Sequence, residues 1–377
     1  MNMASECSLR WLRTGSEAFG VMVDMICGAR QSVRLEMYIY RDDSVGQWVR
    51  DALVEAARKG VKVRVLVDSV GSQALDDEFW DVLRKAGAEV RWFNPFRLDR
   101  FAIRNHRKLL LCDDKIAMIG GFNIAEEYEG DGITRGWCDL GAVVTGKVID
   151  ELMRSFDLLY QIAEFRHARF KQWRKSRVGI GPGPICGDVL LNLPGTGHSS
   201  LKLKLNEALA KARDVRIISA YFLPTWKIRR QLQRIARSGG RVQIILAGKS
   251  DVLLSQTASR SLYRTLLQAG VEIYEYEPQI LHAKLYMMDD CIYAGSANLD
   301  KRSLSINYEL LVRTSDPVAV QQGREIFADI LGYSRRVTLS EWKKSRSLWT
   351  RLWEKVAYVF LVHLDPYVAR QQLRMLR

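Results

Sequence analysis

The chain has 377 residues, enough for one large hydrophobic core or two ordinary ones. Its hydrophobic fraction of 47% and charged fraction of 27% are those of a folded protein and exclude a disordered or fibrous one. A formal net charge of +14 favours an anionic partner, which leaves nucleic acid, anionic lipid or a phosphorylated small molecule.

Cysteine usage and hydropathy give expectations about the cellular compartment. The six cysteines, at positions 7, 27, 112, 138, 186 and 291, have no C-x-x-C spacing, so the sequence predicts neither a zinc site nor a disulfide framework. The amino-terminal segment lacks an apolar stretch of signal-peptide length, and no run approaches the roughly 18 to 20 apolar residues of a transmembrane helix. We therefore expect a cytoplasmic protein with reduced thiols that does not span a bilayer.

Four sequence blocks recur in the same order in two halves of the chain. ARQSVRLEMYI (29–39) matches ARDVRIISAYF (212–222), ARKGVKVRVLV (57–67) matches ARSGGRVQIIL (236–246), and AGAEVRWFNP (86–95) matches AGVEIYEYEP (269–278). NHRKLLLCDDKIAMIGGFN (105–123) then matches LHAKLYMMDDCIYAGSAN (281–298). The separation of about 176 residues far exceeds solenoid periods, so the chain is predicted to contain two copies of one domain.

Within each copy, short β-branched runs such as VKVRVLVD alternate with helical stretches such as VGQWVRDALVEAARKG. This alternation predicts two similar α/β sandwich domains with mostly parallel sheets. The segment 176–200 holds six of the 27 glycines and three of the eight prolines, and contains a short predicted strand, DVLLNL. We expect a first domain over 1–175, a linker over 176–200, a second domain over 201–335 and a basic amphipathic tail over 336–377.

The last repeated block carries a histidine, a lysine and an asparagine in each half. These are His106, Lys108 and Asn123 in the first half, and His282, Lys284 and Asn298 in the second. Each His-x-Lys pair precedes an apolar run that is typical of a buried strand, where residues two apart point to the same face. A glycine turn then leads to the asparagine, whose amide can donate toward the same place.

Lysines and amides that donate to an anion suit the oxygens of a phosphodiester. In-line displacement at phosphorus puts the nucleophile and leaving group on opposite sides, so one histidine would attack and a facing one would protonate the departing alkoxide. Each imidazole needs a carboxylate to orient it, and Asp139 and Glu309 are the candidates. Asp113 and Asp289, at the strand ends, are expected to cap turns. We expect neither a metal nor a cofactor.

The segments H-R-K-LLLC-D and H-A-K-LYMM-D, followed by GGFN and GSAN, resemble the phospholipase D superfamily, whose signature is H-x-K-x4-D and G-[GS]-x-N. The blocks EMYIY, ARKGVKVRVLVDSVGS and GSANLDKRSLSINYEL are similar to the bacterial cardiolipin synthase branch. The resemblance covers roughly residues 17–332. It implies a pseudo-two-fold pair of α/β domains with the active site at their interface, and a phosphohistidine intermediate formed without a metal.

The resemblance also implies transfer of a phosphatidyl group from one phosphatidylglycerol to the glycerol hydroxyl of another. Either His106 or His282 would be the nucleophile and the other the general acid and base; His106 is favoured because the amino-terminal histidine is the usual nucleophile in the superfamily. Lys108, Lys284, Asn123 and Asn298 would hold the phosphate. The second motif is one residue shorter between Asp289 and Gly295 than the first between Asp113 and Gly120. The chain also lacks the two amino-terminal transmembrane helices of many cardiolipin synthases, so we expect it to be nearer the shorter, peripherally bound members.

The tail mixes tryptophans and leucines with basic residues at helical spacing. The apolar positions are Trp342, Leu348, Trp349, Leu352 and Trp353, and the basic ones are Lys343, Lys344, Arg346, Arg351 and Lys355. This pattern predicts an interfacial helix on anionic lipid, holding the protein at the inner face of the cell membrane. The alternative is that the helix packs on its own domain. A second basic tract, 166–177, could contact membrane or nucleic acid backbone or be a solvated helix end.

Several alternatives stay open at this point. A phospholipase D hydrolase or a nuclease of the same superfamily would use the same residues on a different substrate, and a basic protein binds nucleic acid well. A non-catalytic lipid-binding protein is a third alternative. It is disfavoured because all eight motif residues, two each of His, Lys, Asp and Asn, are intact. His167, His198 and His363 belong to no cluster. The sequence leaves open the head groups, which histidine is the nucleophile, the balance of transfer over hydrolysis and the oligomeric state.

Overall fold

The computed structural model describes residues 7–96, 98, 101–163, 188–194, 199–364, 367 and 369. The first half contains strands β1 (Cys7–Leu12), β2 (Ser32–Met37), β3 (Lys62–Asp68), β4 (Glu89–Phe93), β5 (Leu109–Cys112), β6 (Ile116–Gly120) and β7 (Gly141–Gly146). Its helices are α1 (Gly15–Gly28), α2 (Ser44–Arg58), α3 (Asp81–Lys85) and α4 (Val148–Ile162), with 3-10 turns at Asp77–Trp80 and Glu126–Tyr128.

The second half repeats this arrangement with additions at its carboxyl end. Its strands are β8 (Asp188–Asn192), β9 (Asp214–Ser219), β10 (Arg241–Ala247), β11 (Glu272–Tyr276), β12 (Leu285–Met288), β13 (Cys291–Gly295), β14 (Glu309–Thr314) and β15 (Ser334–Val337). Its helices are α5 (Ser200–Lys211), α6 (Trp226–Arg237), α7 (Leu253–Arg260), α8 (Tyr263–Leu267), α9 (Pro317–Gly332), α10 (Leu339–Lys344) and α11 (Leu348–Val359), and a π-helical turn, Phe360–Leu364, follows.

Both sheets are mixed, which confirms the α/β class and corrects the expected mostly parallel arrangement. The strand orders are β1-β7-β6-β5-β2-β3-β4 and β15-β11-β10-β9-β12-β13-β14-β8. Among the described strands, the parallel pairs are those within β2–β3–β4 and β9–β10–β11. The motif strands form antiparallel hairpins, β5 with β6 and β12 with β13, because turns of three and two residues are too short for a parallel crossover.

Polar side chains mark where several helices begin. Asp43 accepts a hydrogen bond from the Gly46 amide at the start of α2, and Ser199 accepts one from Lys202 at the start of α5. Such caps satisfy amide donors that have no partner within the first turn. The strand predicted inside 176–200 is present as β8, and it pairs with β14 at the edge of the second sheet.

The apolar residues form layers: the two sheets face each other across a core to which α4 and α9 also contribute, and other helices cover the outer faces. Leu109 and Leu111 of β5 lie in a core shared with Leu285 and Met287 of β12. The alternate residue Leu110 faces a separate core beneath α1 and α2, and an equivalent core lies beneath α5 and α6 in the second half. Strands covered on both faces are apolar at every position, which explains the continuous runs LLLC and LYMM.

The segments that precede the motif strands pair across the interface between the halves. Isolated parallel bridges join Asn105 to Tyr308 and Cys138 to Leu281. The His106 amide donates to the Tyr308 carbonyl at 3.0 Å, and the His282 amide donates to the Cys138 carbonyl at 2.8 Å. Each motif histidine therefore enters its strand while bonded to the other half of the chain.

The tail does not form the single amphipathic face that its spacing predicts. Trp342 of α10 is buried, with its ring centroid 4.7 Å from that of Tyr263 and the Arg346 guanidinium 3.9 Å above it. By contrast, Trp349 and Trp353 of α11 are 73% and 65% exposed. The grouping of Trp342 with the other two tryptophans is therefore wrong, because the chain turns between α10 and α11 and a new helix begins after the cap Ser347.

Among the described residues, no helix combines the length and the apolar character needed to cross a membrane. The basic tract at 166–177, which includes His167, lies outside the described residues, as do Cys186 and His198.

Candidate active site

The two His-x-Lys pairs come together at the interface between the sheets. His106 and Lys108 lie at the start of β5, His282 and Lys284 at the start of β12, and all four side chains are buried. Burial is the main cause of the lowered pKa values of His106 and His282, and smaller contributions come from the other half, from Lys284 on His106 and from Lys108 on His282. The structure therefore joins into one site two motifs that are far apart in sequence.

Each histidine bonds a carboxylate that belongs to the opposite half. His106 Nδ1 lies 3.1 Å from Glu309 Oε1 and 3.2 Å from Oε2, and His282 Nδ1 lies 2.6 Å from Asp139 Oδ2. The sequence indicated these two carboxylates, but it did not reveal that they are exchanged between the halves. A carboxylate on Nδ1 orients the ring and leaves Nε2 for a ligand.

The two carboxylates have different hydrogen-bond donors. Glu309 Oε2 accepts a bond of 2.5 Å from the Ser296 hydroxyl. The corresponding residue in the first half is Gly121, where a Cβ atom would lie only 2.0 Å from Asp139 Oδ1. Asp139 Oδ1 instead accepts from the amide of Leu140 at 2.8 Å. The two halves of the site thus differ in the groups that donate hydrogen bonds to the carboxylates of the histidines.

Burial and neighbouring charges shift the pKa values of the site. Burial lowers the pKa of His106 to about 4, Glu309 opposes this, and Lys108 adds to it. The pKa of His282 is also lowered by burial and by Lys284, against the effect of Asp139. Burial alone would raise the pKa of Asp139, but His282 and Lys284 bring it below its usual value, so this carboxyl is ionised.

The two lysines are held over their own motifs. Lys108 Nζ donates to the His106 carbonyl at 2.7 Å and lies 5.1 Å from the ring centroid of Tyr38. Lys284 Nζ donates to the His282 carbonyl and lies 2.9 and 3.1 Å from the two nitrogens of the His282 ring. Burial lowers the pKa of Lys108 to about 7, with a contribution from Lys284, and lowers that of Lys284 to about 8.

The asparagines fasten the loops that follow β2 and β9. Asn123 Oδ1 accepts from the Ile39 amide at 3.1 Å, and Asn298 Oδ1 accepts from the Tyr221 amide at 3.4 Å. The amide nitrogen of Asn123 donates to the Tyr128 hydroxyl at 2.6 Å. The bonds to Oδ1 thus orient the side-chain amides of Asn123 and Asn298. Asn123 is also linked to Tyr128, which is not part of the motif.

Aromatic rings that the sequence analysis missed line the site. The Tyr38 ring lies 4.7 Å from His106, and the rings of Tyr128 and Trp137 lie 5.3 and 5.6 Å from His282. Tyr38 follows the carboxyl end of β2, the edge at which α/β sheets place ligands, so its position could have suggested it. Tyr128 and Trp137 lie between strands, where periodicity carries no signal.

Asp113 and Asp289 lie at the far ends of the motif strands. Both have positive φ, of 54° and 53°, in the turns after β5 and β12. Asp113 accepts from the backbone amides of residues 30–32, and Asp289 accepts from those of residues 213 and 214. These bonds tie each turn to the start of the neighbouring strand and leave both carboxylates apart from the histidines.

A buried polar network supports the motif of the first half, and the described residues of the second half contain no equivalent of it. Arg107 Nη2 lies 3.1 Å from Glu36 Oε2 and donates to the Ser155 hydroxyl, and neither charged side chain is exposed. The second half has Ala283 at the position of Arg107 and Ile218 at that of Glu36. The charge of Arg107 interacts with Glu309, which adds to the asymmetry of the two carboxylates.

Metal ligation has no obvious place among these residues. Within the described part of the chain, no three His, Cys, Asp or Glu side chains are grouped so as to hold a metal ion. The positive charges beside the histidines are those of Lys108 and Lys284.

The site and the fold agree with comparisons to known proteins. A family model described as "Cardiolipin synthase, PLD-like domain" matches residues 22–157 and 205–331. The chain therefore belongs to this phospholipase D-like family, with two copies of its domain, as the sequence resemblance predicted.

Relatives that align over more than 90% of this chain support the same assignment. Cardiolipin synthase 1 of Bacillus cereus is 30% identical over 364 residues, which cover 93% of this chain and 71% of the relative. Major cardiolipin synthase ClsA of Bacillus subtilis is 31% identical, with 91% and 72% covered. Cardiolipin synthase B of Salmonella typhimurium is 29% identical, with 96% and 89% covered.

A solved structure shows that the fold is shared. Phosphatidylserine synthase from Haemophilus influenzae Rd KW20 superposes with a TM-score of 0.74 at 14% identity, over 96% of this chain and 94% of that one.

Proposed function

We propose that this chain transfers a phosphatidyl group from phosphatidylglycerol to the hydroxyl of a second phospholipid, the reaction of a cardiolipin synthase. The observation that carries the proposal is the pair of buried imidazoles, each bonded through Nδ1 to a carboxylate of the other half. Nε2 of both rings is then available at one phosphodiester, which is the arrangement that double displacement at phosphorus requires.

In the proposed first step, Nε2 of His106 attacks phosphorus and the bond from phosphorus to the glycerol oxygen breaks. His282 gives its proton to that oxygen. Glycerol then departs, and the phosphatidyl group stays bonded to Nε2 of His106. In the second step, the acceptor hydroxyl gives its proton to His282 and attacks phosphorus, which breaks the phosphorus–nitrogen bond. His106 and the protonated His282 are thereby restored.

The assignment of His106 as nucleophile is supported by the different donors on the two carboxylates. The Ser296 hydroxyl takes part of the charge of Glu309, so Glu309 stabilises a protonated His106 less. Asp139 lies at 2.6 Å from His282 and can hold its proton more firmly. His282 is then the ring that keeps a proton to give to the leaving oxygen, and His106 is the ring that is free to attack.

Lys108 and Lys284 are proposed to neutralise the phosphate, with Asn123 and Asn298 at its edge. Two ammonium groups next to the phosphorus supply the charge that a metal ion supplies in many phosphodiesterases. We therefore propose that the reaction proceeds without a metal.

We also propose that the protein attaches peripherally to the inner face of the cell membrane. Exposed Trp349 and Trp353 lie on α11, and Lys343, Lys344 and Lys355 on α10 and α11 are exposed as well. Amphipathic side chains beside cations suit the headgroup region of anionic lipid.

The test is incubation of the purified protein with phosphatidylglycerol vesicles and EDTA, with products identified by mass spectrometry. Cardiolipin and free glycerol, absent with the His106→Ala variant, are expected. Phosphatidic acid alone would mean a hydrolase, and cleavage of single-stranded DNA without lipid turnover would mean a nuclease. Loss of transfer upon EDTA addition would contradict the metal-independent step.

A further inference from the structure

Large apolar side chains are exposed at the edge of the molecule where the two histidines lie. We call this the site edge: it is formed by the carboxyl ends of β2, β3 and β4 and of β9, β10 and β11. The motif strands β5 and β12 begin there, since Leu109 pairs with Glu36 and Leu285 pairs with Ile218. Loops that leave the sheets at this edge therefore surround the site.

The first of these segments comprises residues 94–96, 98 and 101–104 and follows β4. Phe96 and Phe101 are 64% and 40% exposed, with ring centroids 6.5 Å apart. The loop is fastened to the site, because Arg104 bonds Asp68 at 3.2 Å and its carbonyl accepts from the Tyr308 amide at 2.9 Å. These two aromatic rings thus stand beside the segment that carries His106.

The second segment follows β10 on the other side of the site. Leu253 and Leu254, at the start of α7, are 70% and 44% exposed. The preceding Asp251 accepts a hydrogen bond of 2.6 Å from the Tyr221 hydroxyl. Because the Tyr221 ring lies 6.5 Å from His282, these leucines are at the rim of the same site.

The third segment is the turn after α11. Phe360 and Leu364 are 47% and 54% exposed, and the Val362 carbonyl between them accepts from Lys301 Nζ at 2.6 Å. Lys301 is three residues beyond Asn298, so this turn also reaches the site edge. The middle of α11 lies near the far end of α7, since the charge of Arg260 acts on Glu354, so the exposed face of α11 runs outward from the site.

We infer that the site edge is the face that docks on an anionic phospholipid bilayer. The side chains that would enter the headgroup layer are Phe96, Phe101, Leu253, Leu254, Phe360 and Leu364. Exposed apolar residues scattered singly are ordinary, but three separate segments here present them around one site. The inference rests on the proposed function and adds the orientation in which the protein meets its substrate.

Charge and chemistry favour a bilayer as the occupant of this face. The formal net charge of +14 complements an anionic surface, and exposed Lys355 lies on α11, the helix that leads into the third segment. In this orientation a lipid headgroup reaches the histidines while its acyl chains stay in the bilayer. The lipid then does not have to leave the membrane for each turnover, which would expose its chains to water.

The experiment compares the variant Phe96→Ser/Leu253→Ser with the control Val318→Ser. Val318 is 65% exposed at the start of α9, which follows β14 at the end opposite Glu309 and so lies away from the site edge. Each protein is assayed on vesicles of equal phosphatidylglycerol and phosphatidylcholine. Each is also assayed on dihexanoyl phosphatidylglycerol below its critical micelle concentration, where no surface exists.

The Phe96→Ser/Leu253→Ser variant is expected to lose about tenfold or more of its vesicle turnover. It should keep its turnover of the monomeric lipid within about twofold of the control, since these side chains face the bilayer and not the phosphate. Equal losses on both substrates, or full activity on vesicles, would overturn the inference.

Vesicle sedimentation separates this inference from the proposed reaction. If the wild-type protein turns over neither lipid, the phosphatidyl transfer fails, but the same three proteins still report on the docking face. A weaker partition of Phe96→Ser/Leu253→Ser than of Val318→Ser supports the face, and equal partition overturns it.

Discussion

Glu309 accepts a hydrogen bond from the Ser296 hydroxyl, whereas Gly121, in the corresponding place beside Asp139, has no side chain to donate. A donor on a carboxylate spreads its charge and makes it a weaker partner for an imidazolium. The two pseudo-symmetric histidines thus differ in how well they hold a proton. Such a difference is what distinct roles as nucleophile and acid would need.

The Ser296→Ala variant tests this asymmetry. Without the hydroxyl, Glu309 stabilises protonated His106 more strongly, so the pKa of His106 rises from about 4 and less of the ring is neutral in acid. We expect the acidic limb of kcat/KM to move to higher pH, with a loss of about threefold at pH 4 and little change at pH 6.

The control for this variant is Ser259→Ala, which removes a buried hydroxyl near the carboxyl end of α7, the end away from the site edge. Its pH profile should match that of the wild type. An acidic limb that stays in place in Ser296→Ala would contradict a tuning role for the hydroxyl.

The pKa values of the two lysines predict how kcat/KM depends on pH on the alkaline side. The pKa values of Lys108 and Lys284 lie at about 7 and about 8, and both side chains have to be cations to hold a phosphodiester. As pH rises through these values the protons are lost, so kcat/KM, which reports the free enzyme, is expected to fall above about pH 7.

Bound phosphate stabilises the ammonium groups, so the decline in kcat should begin at higher pH than that in kcat/KM. Steady-state rates on phosphatidylglycerol between pH 5 and 10 provide both profiles. A flat kcat/KM between pH 7 and 9 would show that the lysines keep their protons or are not needed.

At the scale of elements, the glycine that ends each motif hairpin is set by backbone geometry. Gly120 and Gly295 have φ of 154° and 151°, and a Cβ atom at Gly295 would lie 2.3 Å from the Leu310 carbonyl oxygen. The chain has to pass this close to the next strand to deliver Ser296 to Glu309 and Asn298 to the loop after β9. The G-[GS]-x-N pattern therefore has a steric basis.

Gly295→Ala is expected to lower the free energy of unfolding by about 2 to 3 kcal/mol, because it combines an unfavourable φ with a backbone clash. The comparison is Gly20→Ala in the interior of α1, where nothing lies within 4 Å of the added Cβ. That change should raise stability by up to about 1 kcal/mol through helix propensity. Urea unfolding measures both, and equal midpoints for the two variants would contradict the steric explanation.

The tail shows how a change of element alters a sequence pattern. Trp342, Trp349 and Trp353 are the same residue type at helical spacing. Trp342 nevertheless contacts Tyr263 in the core, whereas Trp349 and Trp353 face solvent. The turn at 345–347 resets the helical phase, and Arg346 and Glu354 pair at 3.4 Å across it. Helical spacing therefore predicts a shared face only where one helix continues.

At the scale of the whole molecule, net charge sets the attraction to a membrane. With a formal charge of +14, partition of the protein onto phosphatidylglycerol vesicles is expected to weaken severalfold between 50 and 500 mM NaCl. Sedimentation with vesicles measures it, and pure phosphatidylcholine vesicles, which should bind weakly at either salt concentration, are the control. Equal binding to anionic vesicles at both salt concentrations would show that apolar contacts alone hold the protein.

Much of the molecule could be predicted from the sequence. The duplication, the α/β class, the buried strands after each His-x-Lys pair and the carboxylates Asp139 and Glu309 all follow from local patterns of 10 to 20 residues. Those patterns are local because strand alternation and glycine turns depend on neighbouring residues along the chain. The domain limits 1–175 and 201–335 and the roles of the six motif residues stay predictions.

The packing of one sheet against the other decided the rest. It exchanged the carboxylates, so that Glu309 bonds His106 and Asp139 bonds His282, and it brought Tyr128 and Trp137 to the second histidine. These features depend on which surfaces meet across the shared core, and contacts between distant segments leave no periodic trace in one sequence.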